Sequence, residues 1–209
     1  MRDARAPIVE PGEVPEHWRA VFSDYIEFLD VPRADAILTI MCREGPPPVR
    51  LGKHSELVVV DILLDTSANL DPVRPSPTEL PPDAHVITAV PGSLPFPDAH
   101  FDLISLSASL TRLPDPVAMA KEMARVLAPG GVVGGIIPSR KLDREALNAF
   151  RATHEIPERL VETLEQFCVT FPEEPPERWL ARVLLEGGLR AIRTRESLDD
   201  LLLLYKARR

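Results

Sequence analysis

The feature that most constrains this chain is a strand, a helix and a second strand packed without interruption between Phe101 and Ile137. Phe101 to Ala108 (FDLISLSA) and Val132 to Ile137 (VVGGII) are short apolar runs of the kind buried on both faces of a sheet. Between them Asp115 can cap a helix with Pro116 at its first position, and Val117, Ala120, Ala124 and Leu127 line one face. Two strands joined through one helix form a right-handed crossover and lie parallel. The chain is therefore expected to be α/β. Ala36 to Cys42 (AILTIMC), Glu56 to Ile62 (ELVVVDI) and His85 to Val90 repeat the strand character upstream.

The flanks complete the pattern. Val14 to Leu29 carries Trp18, Val21, Phe22, Tyr25, Ile26 and Leu29 at spacings of three and four, which predicts an amphipathic helix. Pro157 to Phe167 predicts another. A third carries Trp179, Leu180, Val183 and Leu184 inward and ends at Gly187-Gly188. Leu189 to Thr194 and Asp200 to Ala207 read as strands too close in sequence to be anything but antiparallel. The sum is a seven-stranded mixed sheet with helices on both sides. Gly45 to Val49 (GPPPV) and the proline-rich Asp71 to Asp83 cannot be regular helix interiors, because proline lacks an amide hydrogen.

Composition narrows the function classes. With 44% hydrophobic and 27% charged residues in a chain of 209, one globular domain with a single core is expected. A net charge of −8 argues against a surface that tracks nucleic-acid phosphates. Cys42 and Cys168 lack CxxC spacing, and His17, His54, His85, His100 and His154 are scattered, so no metal site is expected. No leader pattern opens the sequence and no apolar run nears the ~20 residues of a membrane span, which predicts a cytoplasmic protein with no membrane partner.

The run LPFPDAHFDLISLSASLTRLPDPVAMAKEMARVLAPGG, Leu94 to Gly131, closely resembles the fourth-strand region of class I S-adenosylmethionine-dependent methyltransferases of the small-molecule, or type 11, kind. It combines LPF, an FD pair opening a strand, an LPDP helix start and an RVL-x-PGG stop. The segment LLEGGLRAIRTRESLDDLLLLYKARR is similar to the last two strands of that fold. The resemblance implies a Rossmann-like, mostly parallel sheet with an antiparallel last strand. It divides the chain into an N-terminal helical extension, 1–33, and a methyltransferase-like domain, 34–209.

It also implies a cofactor site at the carboxyl ends of the first strands, where open α/β sheets bind ligands. Relatives place an acidic residue and a glycine-rich loop after strand one; here Thr39 stands at the acidic position, Met41 and Arg43 replace the first two glycines, and only Gly45 matches. Asp61 preserves the acidic residue that ends strand two. Val90 stands where an adenine-binding Asp is expected, followed by Pro91, Gly92 and Ser93. Gly45, Asp61, Gly92 and Ser107 are thus the positions expected to contact a cofactor. Thr111-Arg112 stands where many relatives carry a histidine pair, so no general base and no catalytic residue is assigned. The expectation is that S-adenosylmethionine binds weakly or not at all and that the protein is a non-catalytic subunit or regulator, paired with a methyltransferase paralogue or with itself. The alternative is an active methyltransferase acting on a small organic acceptor.

Overall fold

A computed structural model of the chain describes residues 19–31, 33–41, 56–62, 85–107, 110–156, 158–167 and 174–209. Seven strands form one sheet: β1 (Ala36–Met41), β2 (Glu56–Ile62), β3 (His85–Ala89), β4 (Phe101–Ser107), β5 (Leu127–Pro138), β6 (Arg190–Ser197) and β7 (Leu202–Arg208). Their spatial order is β3-β2-β1-β4-β5-β7-β6. Every neighbouring pair from β3 to β5 is parallel, whereas β7 runs antiparallel to both β5 and β6. The expected Rossmann-like architecture is the one observed.

The helices are α1 (Arg19–Leu29), α2 (Pro116–Val126), α3 (Arg144–Thr153), α4 (Glu158–Phe167) and α5 (Pro176–Glu186). One face of the sheet packs on α2 and α5 through Met119, Met123, Leu180 and Leu184. The other packs on α1, α3 and α4 through Phe22, Leu147 and Leu164. Asp115 caps α2 by accepting from the Ala118 amide at 2.8 Å, with Pro116 in the first turn. At the end of α5, Gly188 takes φ +92°, and the amides of Leu189 and Gly188 bond the Leu184 and Leu185 carbonyls, the Schellman pattern that glycine favours. Helix α3 was not anticipated. Only Leu147 and Phe150 of its residues are buried, too few for a recognisable apolar stripe, though Asp143 caps it through the Ala146 amide. Strand β5 is also longer than expected: it begins directly after α2, where Leu127 pairs with Phe101, and runs through Pro129-Gly130-Gly131.

Helix α1 is locked to the sheet. Its Tyr25 hydroxyl hydrogen-bonds Ser105 Oγ of β4 at 3.0 Å, and its Asp24 receives the Arg195 guanidinium of β6. The chain's two tyrosines meet the glycine pair of β5 from opposite faces. Gly134 leaves room for Leu29 and Tyr25, and Gly135 for Tyr205. Both tyrosines are buried; desolvation pushes their hydroxyl pKa values well above the ordinary value, the Ser105 bond working the other way at Tyr25 and the neighbouring Tyr25 adding to the rise at Tyr205. An unfolded chain would release these protons first, at about pH 10, so stability present below that pH is lost as the pH rises past it. Alkaline titration is expected to show both phenols ionising in one step, together with loss of the circular dichroism signal. Gradual ionisation near pH 10 with the dichroism intact would contradict the burial described.

Candidate functional site

The register of the parallel strands places the expected site residues side by side. Met41 of β1 is level with Asp61 of β2 on one side and Ser107 of β4 on the other, and Asp61 is level with Thr88 of β3. Asp61 and Ser107 therefore flank the last residue of β1 at the carboxyl end of the sheet, where the crossover loops leave the sheet. Gly45 lies outside the described residues, as do Cys42 and Arg43.

Gly92 is described, and its local role is clear. The Ser93 amide bonds the Val90 carbonyl at 3.3 Å, closing a turn with Pro91 and Gly92 at its centre. Gly92 has φ +75°, which with proline before it is the type II arrangement that needs glycine. A Cβ at Gly92 would also stand 3.1 Å from that of Ala118 in α2. The turn therefore seats the segment after β3 against the start of α2.

The residues that carry the family resemblance hold this segment in place. The Arg125 guanidinium spends its five N–H donors on Glu122 twice, on the carbonyls of Leu94 and Phe96, and on Asp98, all at 2.8 to 2.9 Å. Glu122 also accepts from the Leu94 amide at 2.8 Å, and Arg125 holds its carboxyl below the usual range. Asp102, the acidic half of the FD pair, accepts from the amides of Asp35 and Ala36 at 2.9 and 3.1 Å and so anchors the start of β1. LPF, FD, LPDP and RVL thus form a clasp that fixes β1, β4 and α2 in relation to one another. Sequence reasoning recognised these motifs but did not see that their work is structural.

At β1 the chemistry differs from what the resemblance expects. Thr39 is fully buried between Val59 and Ser105, and its Oγ1 has no hydrogen-bond partner among the described residues. A buried hydroxyl without a partner costs about 1–3 kcal/mol. Met41 is also buried, and its side chain belongs to the apolar cluster beneath α1. Thr111, just after β4, likewise buries a hydroxyl without a partner among the described residues. Among the described residues no group of three or more His, Cys, Asp or Glu is placed to hold a metal ion, and no helix is long and apolar enough to cross a membrane.

Comparison with known proteins gives a consistent picture. A family model described as a methyltransferase domain matches residues 49–134, a span that begins after β1. The chain is 31% identical over 108 residues to the demethylmenaquinone methyltransferase of Bacillus licheniformis, covering 52% of this chain and 47% of that one. It is 24% identical over 164 residues to the ubiquinone/menaquinone biosynthesis C-methyltransferase of a Shewanella species, covering 75% of this chain and 65% of that one. The chain thus spans roughly half to two thirds of these curated relatives. Among solved structures, a SAM-dependent methyltransferase from Aquifex aeolicus superposes with a TM-score of 0.56 at 14% identity, covering 93% of this chain and 90% of that one. A chain from the complex of the Haloferax volcanii Trm112 methyltransferase activator with a methyltransferase superposes at 0.54 and 14% identity, covering 92% and 89%.

Proposed function

From the premise that this chain has the class I methyltransferase fold and carries a type 11 methyltransferase segment, we propose a protein that has kept the scaffold but binds S-adenosylmethionine weakly or not at all and serves as a non-catalytic subunit or regulator. Thr39 is the observation that carries this reading. Where the resemblance expects a carboxylate, a neutral hydroxyl is buried without a hydrogen-bond partner among the described residues. A site tuned to hold a charged amino-acid cofactor has no use for an orphaned hydroxyl in that place. From Met41, the last residue of β1, the sequence reads MCREG, so methionine and arginine replace two glycines at positions where bare backbone would approach a ligand. The residues of β1 therefore do not fit the cofactor, whereas Asp61 of β2 keeps the acidic residue that the resemblance expects there. A fold relative that works beside an activator protein is in keeping with a partnered role.

Met41 favours a second reading, an active S-adenosylmethionine-dependent methyltransferase acting on a small organic acceptor. Its side chain packs into the core, so the replacement of glycine by methionine does not by itself fill the space between Asp61 and Ser107. Curated relatives bearing enzyme names point the same way.

Thermal-shift titration with S-adenosylmethionine and S-adenosylhomocysteine, backed by calorimetry, separates the two. A ligand at 100 times its Kd stabilises by about 2.7 kcal/mol, which is readily seen. The first reading expects no saturable shift at millimolar ligand. A saturable shift abolished by Asp61→Ala would establish cofactor binding and favour the enzyme.

A further inference from the structure

The last two strands concentrate positive charge in a chain whose balance is −8. Across β6 and β7, Arg190 stands opposite Arg208 and Arg193 opposite Lys206, with Arg195 following opposite Leu204. Residues directly opposed in an antiparallel pair project from the same face, and like charges so placed destabilise the pair. Desolvation lowers the Lys206 pKa, and Arg193, Arg208 and Arg195 lower it further, with Asp30 acting in the opposite sense. Arg195 is matched by Asp24 and Glu27 of α1. The other four cations form no ion pair among the described residues.

Three of these heads are nevertheless positioned. Arg190 donates to the carbonyls of Leu185 and Leu189, Arg208 to that of Gly130, and Lys206 to that of Leu29. Lys206 and Arg195 also sit 5.2 and 5.1 Å from the Phe28 ring centroid. Arg190, Arg193 and Arg208 are exposed.

Charged side chains often do no more than guard an edge strand against unwanted pairing, and the irregular register between Arg190 and Arg193 helps in that. Edge protection accounts for cations on β6. It does not account for Lys206 and Arg208 on β7, which is an interior strand bonded on both sides. Four cations gathered across two strands, at a cost to the sheet and with Asp30 near Lys206 but no ion pair among the described residues, are what a negatively charged ligand would complete.

We propose that this face is a docking surface for an acidic segment of a partner protein. Carboxylates of such a segment match the planar guanidinium heads of Arg193 and Arg208, which favour two-point hydrogen bonding. A nucleic acid would bring a long polyanion against the negative remainder of the surface. Stable anchoring on anionic lipid takes an apolar element beside a basic patch; among the described residues the large exposed apolar residues Val86 and Val90 sit at the opposite edge of the sheet, leaving Leu185 at this end. The proposal does not depend on whether the cofactor site is active.

Fluorescence anisotropy of the full chain with a labelled oligoglutamate peptide tests it. Binding is expected at low salt and should weaken as salt screens the contact. Reversing charge in the Arg193→Glu/Arg208→Glu double variant should lower affinity about tenfold or more. Lys121→Glu, an exposed change on α2, should match the wild type. Should the double variant fail to fold, Arg193→Gln alone keeps the test open, because the Arg193 side chain makes no hydrogen bond among the described residues; it should weaken binding measurably. Absence of peptide binding at low salt overturns the proposal. So do an equal loss in Lys121→Glu and a preference for phosphatidylserine vesicles or duplex DNA over the peptide.

Discussion

Gly135→Ala is expected to bring the protein to the brink of unfolding. A Cβ at that position would lie 2.5 Å from the Tyr205 hydroxyl and 2.6 Å from both the Leu106 carbonyl oxygen and the Tyr205 ring. Neither neighbour can retreat cheaply. The Leu106 carbonyl belongs to the backbone of β4, next to β5 in the parallel ladder, and Tyr205 is fully buried in the core. Overpacking against backbone should cost about 3–5 kcal/mol, a large share of the roughly 5–15 kcal/mol that holds a domain together. For a chain of this size the melting temperature should fall by about 6–20 °C. Gly134→Ala is a milder insult, since its closest contact, 2.3 Å, is the end of the Leu29 side chain. Thermal melts followed by circular dichroism rank the two, and an unchanged melt for Gly135→Ala would mean that β4, β5 and β7 do not meet in this register.

Arg125→Ala should cost about 2–4 kcal/mol, because it strands two backbone carbonyls and the Glu122 carboxylate at once. Arg125→Lys is expected to recover little of this; an ammonium cannot reproduce five donors in a fixed plane. The pair also leaves a pH signature. The Glu122 carboxyl titrates below its ordinary value because Arg125 bonds it. Its contribution is therefore present above the unfolded pKa of about 4.3 and is lost as the pH falls through the lower folded value. Urea unfolding at neutral and acidic pH should show the gap between wild type and Arg125→Ala narrowing in acid. A gap independent of pH would assign the loss to the carbonyl contacts alone.

The sequence made the fold more legible than the site. Strands β1, β2 and β4 could be read because both their faces are buried and their apolar runs are continuous, as in AILTIM and ELVVVDI. Helix α2 could be read because Asp115 and Pro116 mark its start by local chemistry alone. Helix α3 could not, because two buried residues do not make a stripe, and its one clear signal, Asp143, is a surface cap. The beginning of β5 was hidden by Pro129-Gly130-Gly131, which reads as a break; yet a Cβ at Gly131 would meet the Asp102 carbonyl at 3.0 Å, so that glycine permits close strand contact. The site suffers from a subtler problem. The most distinctive stretch, Leu94 to Gly131, owes its character to the Arg125 clasp, the Asp102 anchor and the Asp115 cap, all of which build scaffold. Gly92, expected to contact a cofactor, has a structural role as well, in a turn seated on Ala118. Strong family likeness in this stretch certifies architecture and is silent about chemistry.

The position of β7 bears on the order in which the protein can be made. β6 reaches the sheet only through β7, yet it precedes β7 in the chain. A nascent chain that has emerged as far as Ser197 therefore displays β6 with nothing to pair with and β5 with one side open, while β1 to β4, which bear the candidate site, already have all their neighbours. Both unmet strands wait on Leu202–Arg208, and in synthesis at about 5–20 residues per second that interval is short but real. Interruption there would leave two adhesive strand edges exposed together, so loss of one strand of sequence would remove two from the sheet.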